Sequence, residues 1–345
     1  MLSIKRNEIE LLIAFFLVSF VIVLLFNVIQ QAHVNGVAYW FSSDGGEYYR
    51  LYVLYSSSEF TYFEKARLLI TGVPVLLLLL FDGNVVPVLL LCNVIFALSL
   101  MIYGRTVRLR NSFWFIVIAI MPPVSFGLFA VNKEILLVSG TLLFISYYIS
   151  GSKRVLFFSI VVMFMCRSYM AVFFIYVLFV IPRSSMKIHY FRILFSMIII
   201  TILAPYVLLS GGFGTDQNLL DNAGYIAHFF ADEIRNGFYI FLYIPKYLYL
   251  MLIKVWGLYM DGLFGGNKSI LRDFLTSIYS FSVMLFAVLS RHKRKSYPFR
   301  FLVLGFLSSY PLMFSDIVHW RYYIFSLLFF ITYLVLNKDW SVGRN

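Results

Sequence analysis

The feature that most constrains this chain is a succession of long apolar runs separated by short polar breaks. The first, "LLIAFFLVSFVIVLLFNVI" at 11–29, has 19 residues, enough for roughly 28 Å of helix at ~1.5 Å per residue. Similar runs recur at 86–103, 113–131, 135–150, 155–166, 168–181, 191–209, 275–290, 299–314 and 322–337. Lipid leaves only helices and closed barrels as spanning structures, and a barrel would alternate apolar and polar positions. The sequence therefore predicts an all-α polytopic membrane protein with about ten transmembrane helices. Composition agrees: 61% of the 345 residues are hydrophobic and 13% charged, against about 45–50% and about 25% in soluble domains.

Lys5 and Arg6 precede the first run and no small-residue cleavage site follows it, so a retained anchor is expected. With the N-terminus inside, the breaks "YGRTVRLRN", "SGSKR", "PRSSMKIHYFR" and "SRHKRKSYPFR" all become cytoplasmic. Together with both termini they hold 17 of the 28 Lys and Arg but 3 of the 16 acids. Basic cytoplasmic breaks are what membrane orientation requires, so the net charge of +12 speaks for topology and not for nucleic acid. The outer face receives a first loop at 30–65 and a large loop at 210–274. The stretches 66–81 and 238–258 are read as half-spanning or interfacial, because full spans there would upset the alternation. Within the second, "YIPKYLYLMLIKVWGLYM" is expected to lie along the interface with tyrosine and tryptophan at headgroup level. A rival topology takes 155–181 as one span and 238–258 as a full one, which puts Arg183, Lys187 and Arg192 outside. No internal repeat or soluble segment interrupts 1–345, which reads as a single integral membrane domain. Cys92 and Cys166 lie inside apolar runs and suggest neither a disulfide nor a metal site.

Charge at membrane depth is costly, so each charged residue at a span end calls for a reason. On the outer side they gather in four places: Asp44 and Glu47 in "WFSSDGGEYYRLY", Lys133 and Glu134 in "FAVNKEILLV", Arg167 in "FMCRSYMAVF", and His319 with Arg321 in "DIVHWRYYIF". Two readings compete at Asp44. Asp-Gly-Gly is good turn chemistry, and a carboxylate flanked by glycines is also a general base that a bulky acceptor can approach. Tyr48 and Tyr49 would stack on a sugar ring and keep their hydroxyls wet. Lys133 and Glu134 read either as an ordinary helix start with Asn132 as N-cap or as contacts to a lipid diphosphate. Arg167 alone interrupts the 27-residue apolar stretch from Val155 to Ile181, so it pairs inside the bundle or faces a polar cavity. Arg321 is an aromatic-belt anchor beside Tyr322 and Tyr323, or a phosphate ligand with a well-suited guanidinium fork. His319 assists it or serves as a structural hydrogen-bonder. Together these residues suit one reaction. A sugar leaving a polyprenyl phosphate or diphosphate needs cations for the developing charge, and the attacking hydroxyl needs a carboxylate.

The order of these features resembles the GT-C superfamily of multi-spanning glycosyltransferases that use lipid-linked sugars. "DGGEYYRLY" stands where that pattern has an acidic outer loop after the first span. "EKARLLITGVPVLLLLLFDG" and "VVPVLLLCNVIFALSLMIYGR" look like its amphipathic segment and second strong helix. "MPPVSFGLFAVNKEILL" looks like a helix ending at a polar outer site. "VLFFSIVVMFMCRSYMAVFFIYVLFV" looks like a pair of short helices with a basic join, and "HWRYY" like a late outer Arg-Tyr. The resemblance implies Asp44 as catalytic acid or base, with Glu47 beside it, and Lys133, Arg167 and Arg321 as phosphate contacts. With no large soluble C-terminal domain expected, and with its "P…NKE" segment, the chain looks more like bacterial O-antigen or capsule repeat-unit polymerases. These link undecaprenyl-diphosphate oligosaccharides on the periplasmic face of the inner membrane, alongside a flippase and a chain-length regulator. A single-sugar transferase and a polysaccharide flippase are the alternatives. No cofactor is expected. Asp44 and Glu47 are the carboxylates that would hold a divalent cation, although two carboxylates do not make a site.

Overall fold

The computed structural model describes residues 6–35, 43–57, 72–109, 113–131, 133–166, 168–183, 189–209, 229–230, 232–234, 236–261, 269–290, 297–311 and 324–342. Among these the long regular elements are all helices: α1 Arg6–Leu24, α2 Phe26–Val34, α3 Ser43–Ser57, α4 Val73–Leu80, α5 Val85–Thr106, α6 Phe113–Ala119, α7 Pro122–Gly127, α8 Glu134–Ser150, α9 Lys153–Cys166, α10 Ser168–Val180, α11 Tyr190–Leu209, α12 Tyr239–Asp261, α13 Ser269–Leu289, α14 Phe299–Leu307 and α15 Ile324–Val342. The chain divides into two compact units, Met1–Phe174 with Asn267–Arg272, and Ile175–Gly266 with Asp273–Asn345.

The all-helical architecture is compatible with a helical membrane protein, but fewer helices than expected are span-like. Among the described residues α5 alone is long and apolar enough to cross a membrane, and α1 with α2 becomes a second if the bent pair is one span. Several expected spans are broken. The 11–29 run bends by 66° between α1 and α2, and the 113–131 run splits at Met121–Pro122, where Pro122 lacks the N–H that would continue the helix. The 299–314 run is helical only to Leu307 and then turns.

In the first unit, α8 is the centre. Every side chain from Glu134 to Ser146 is buried, as an apolar helix without a polar face requires. The hydroxyls of Ser139, Thr141 and Ser146 donate to carbonyls one turn back at 2.7, 2.8 and 2.7 Å, so they need no other helix. Gly140 lets α9 come close: a Cβ there would lie 2.6 Å from Met163 Cγ, and Ser159 Oγ donates to the Gly140 carbonyl at 2.8 Å.

Side-chain ties fix the helix directions. The Arg105 guanidinium grips Glu8 with two bonds of 2.6 and 3.0 Å, joining the start of α1 to the end of α5. At the opposite end Gln30 donates to the Gly83 carbonyl at 3.0 Å and accepts from Val85 N–H at 2.9 Å, joining α2 to the start of α5. Helices α6 and α7 then bring the chain back to the Gln30 end, where α8 begins. Helix α9 returns along α8 until the Cys166 thiol meets the Lys133 carbonyl at 3.2 Å. The Phe174 ring of α10 stacks on Phe144 at 3.9 Å and 4°. Phe144 lies ten residues down α8, or roughly 15 Å from its start. Helices α9 and α10 are therefore a hairpin, not one long span, with its turn at the Lys133 end.

The second unit packs α14 face to face with α15. A Cβ on Gly305 would lie 2.2 Å from the Phe330 ring, and Ser308, Ser309 and Ser326 share hydroxyl contacts. Every residue of α15 from Ile324 to Tyr333 is buried. In helix α12 the expectation of tyrosines at headgroup level is corrected for Tyr243 and Tyr247; Tyr249 is half-buried, and the side chains of Trp256 and Tyr259 lie outside the described residues. Tyr239, Tyr243 and Tyr247 are buried at i, i+4, i+8, while Phe241, Ile244 and Leu248 are exposed. Tyr239 donates to the Tyr310 carbonyl and Tyr243 to that of Phe306. The phenol needs a buried carbonyl more than it needs the interface, because α14 ends in a turn that leaves such carbonyls open.

Polarity is inverted relative to a water-soluble bundle. Phe16, Leu17, Phe20 and Leu24 on α1, Phe157 and Phe158 on α9, and Phe191, Leu194 and Phe195 on α11 are all exposed. Continuous apolar faces of this kind need a cover of lipid or protein.

Candidate functional site

The Lys133 end of the first unit gathers the polar groups of four chain segments. Helix α3 carries Asp44, Glu47, Tyr48 and Tyr49. The Asp-Gly-Gly stretch, expected in an outer loop with a turn as one of two readings, is thus the first turn of a helix, packed on α2 and α4. Two glycines inside a helix each cost about 1 kcal/mol against alanine, so packing and not propensity forms it. Asp44 lies one helical turn before Tyr48; its side chain is outside the described residues.

Tyr48 is buried, at 6% exposure, and Lys133 Nζ stands 5.7 Å from its ring centroid. That is cation–π range, and it joins residues 85 positions apart in sequence. Lys133 is also the N-cap of α8, with no side-chain cap; Asn132, expected in that role, is outside the described residues. Glu134 follows at 1% exposure in the first turn of α8, where the helix dipole favours a carboxylate.

Glu47 is held differently. Arg50 binds both its oxygens, at 2.6 and 3.0 Å, and both side chains are exposed. Glu47 holds the Arg50 guanidinium charged, shifting its proton affinity further upward. Tyr49 packs its ring 5.5 Å from that of Tyr52. Tyr52 in turn lies on the Asp82–Gly83 turn: a Cβ on Gly83, whose φ is +75°, would come 2.5 Å from Tyr52 Cε1. Partial burial pushes the Tyr52 phenol up, with Tyr49 and Asp82 adding to it.

Sequence reasoning missed the ties beneath this cluster. His33 Nδ1 donates to the Ile29 carbonyl at 2.7 Å, and Val131 N–H donates to His33 Nε2 at 3.1 Å. Gln30 and His33 follow the first apolar run as "VIQQAHV", polar residues at i and i+3, which is the one local signal they give. Arg167, His319 and Arg321 lie outside the described residues. Among the described residues no group of three His, Cys, Asp or Glu side chains could hold a metal ion. Cys92 and Cys166 are both buried thiols.

The cluster therefore offers a lysine over an aromatic ring, at a helix start, facing the helix that carries Asp44. A cation so placed can meet a phosphate, and a carboxylate on α3 can take a proton. Comparison with protein families, with curated proteins and with solved structures finds no match for this chain.

Proposed function

We propose that the chain is a GT-C-type membrane glycosyltransferase of about ten spans, working on polyprenyl-diphosphate-linked sugars at the periplasmic face of a bacterial inner membrane. Its product is a polymer of O-antigen or capsule repeat units. The observation that carries this reading is the Tyr48–Lys133 contact, because it brings the Asp44 helix and the "NKE" segment to one end of the bundle. The exposed apolar faces of α1, α9 and α11 support a lipid surround.

In the reaction the acceptor hydroxyl attacks the anomeric carbon and gives its proton to Asp44. The bond from that carbon to the phosphate oxygen breaks, and the lipid diphosphate leaves with the electron pair. Lys133, with Arg167 and Arg321, meets the charge that develops there. Both termini and the 103–111, 150–154, 182–192 and 290–300 breaks are cytoplasmic in this scheme; 30–65 and 210–274 face outward. Undecaprenyl-linked oligosaccharide is the substrate, and a flippase and chain-length regulator are the companions.

The test is surface polysaccharide from cells whose own copy of the gene carries Asp44→Asn or Lys133→Ala. Both should leave one repeat unit or none, with normal protein in the membrane; full-length polymer from either sinks the proposal. A flippase is the second reading, favoured by the bent α1–α2 pair, since transporters use broken helices at their sites. It predicts lipid-linked repeat units trapped on the cytoplasmic face, where the polymerase predicts them accumulating outside.

A further inference from the structure

His33 is almost fully buried and lies outside the set of residues to which the reaction has been assigned. Its ring has one possible hydrogen arrangement. Ile29 offers only a carbonyl, so Nδ1 carries the hydrogen; Val131 offers only an N–H, so Nε2 carries the lone pair. The ring is a neutral, rigid bridge between α2 and a backbone amide 98 positions away.

That amide is critically placed. Val131 lies in the link between α7 and α8, where no helical carbonyl serves its N–H, and it is buried. Two residues on, Lys133 begins α8: its carbonyl accepts from Leu137 N–H at 2.9 Å and from the Cys166 thiol, and its ammonium stands over Tyr48. The link reaches Lys133 from a short helix that starts on two prolines; Asn93 ties its start by donating to the Leu128 carbonyl at 3.2 Å, and His33 ties its middle at Val131. On the other side α2 packs against α3, which carries Tyr48.

We infer that His33 is a positioning residue that holds the Val131–Lys133 link against α2 and so sets Lys133 over the Tyr48 ring. It touches no reacting group. It acts through one hydrogen bond, and the chemistry required is an acceptor at the Nε2 position. Glutamine can place Oε1 there; asparagine can at best replace Nδ1, and phenylalanine replaces only volume.

The experiment uses the full chain in lipid nanodiscs and three variants, His33→Gln, His33→Asn and His33→Phe. Amide hydrogen exchange of the peptide containing Val131 is the first readout. Polymer formation from undecaprenyl-diphosphate repeat units is the second; it alone rests on the glycosyltransferase reading. Loss of a buried hydrogen bond should speed exchange at Val131 by about tenfold in His33→Asn and His33→Phe, with His33→Gln near wild type. Polymer formation should fall in the same two variants and be rescued by glutamine. Equal exchange in the glutamine and phenylalanine variants would overturn the inference, because His33 would then be filling space alone. So would a protected Val131 whose variants nonetheless lose polymer equally. If wild type itself makes no polymer, the glycosyltransferase reading fails, while the exchange pattern still decides whether His33 holds the link.

Discussion

The Lys133 end of the first unit and the tyrosine cluster of the second are both polar patches in an apolar chain, and they are built for different ends. In the second, Tyr239, Tyr243 and Tyr310 are packed ring to ring, with centroids 4.7–6.1 Å apart. Their hydroxyls go to the carbonyls of Tyr310 and Phe306 and to Thr201. All three phenols are buried, and their donors are spent on the fold. In the first, the buried ties of Gln30, His33 and Cys166 are to backbone groups, while Lys133 is half exposed and Glu47 and Arg50 are exposed. A polar cluster inside an apolar protein is thus not by itself a site. What separates the two is that Lys133, Glu47 and Arg50 keep exposed surface in the first, although Glu134 is buried there, whereas the polar groups of the second are consumed by its structural bonds.

The contrast can be broken by substitution. The largest effect is expected from Asp44→Asn, which should lower the rate of glycosidic bond formation by about 10²–10⁴, the range of a lost general base. Melting in detergent should stay unchanged; a matching loss of thermal stability would make Asp44 a structural residue. Next is Gly305→Ala in the second unit. The new methyl must displace the Phe330 ring, 2.2 Å away, at a cost of about 1–3 kcal/mol read as a lower melting temperature. Gly140→Ala in the first unit meets Met163, a more adaptable side chain, and should cost less. Smaller again, Tyr243→Phe should lose about 1 kcal/mol of stability, the net worth of one hydrogen bond, and leave polymer formation intact. If Tyr243→Phe abolished product while the protein stayed folded, the tyrosine cluster would have to be counted as a second site. The smallest effect belongs to Glu47→Gln. An exposed pair contributes little to stability, and a carboxylate already gripped by Arg50 is a poor base, so both melting temperature and product should be close to wild type. Loss of product in Glu47→Gln alone would transfer the role of base from Asp44 to Glu47.

Helix content and many breaks were legible in the sequence, for reasons that differ by element. The split between α6 and α7 is missed by the single span expected at 113–131, although the Pro122–Pro123 pair is a signal for it: proline removes the amide a helix needs. The expected division of 155–181 at its lone charge agrees with α9 and α10 being separate helices, Lys153–Cys166 and Ser168–Val180. The bend at Leu25 carries no proline or glycine; it is held from outside, by Gln30 and His33 reaching the Gly83–Val85 turn and Val131. Such ties run between residues more than fifty positions apart and use backbone partners, so no local pattern announces them. The Asp44-Gly45-Gly46 stretch misled in the opposite direction: its turn propensity was real, but the packing of α3 on α2 and α4 overrode it. At Tyr239, Tyr243 and Tyr247 the one-face spacing was visible and its burial was not. Tyrosine with an apolar body and a polar tip suits either an interface or a core that offers open carbonyls.

The proposed reaction requires Asp44 and Lys133 to act together at one end of the bundle. The most direct measurement is the rate at which the purified chain, in liposomes with undecaprenyl-diphosphate repeat units and no other protein, joins one unit to the next. Wild type should build a ladder of products, and Lys133→Ala and Asp44→Asn should each stop at the single unit while remaining folded. A ladder that persists undiminished without either side chain would contradict it.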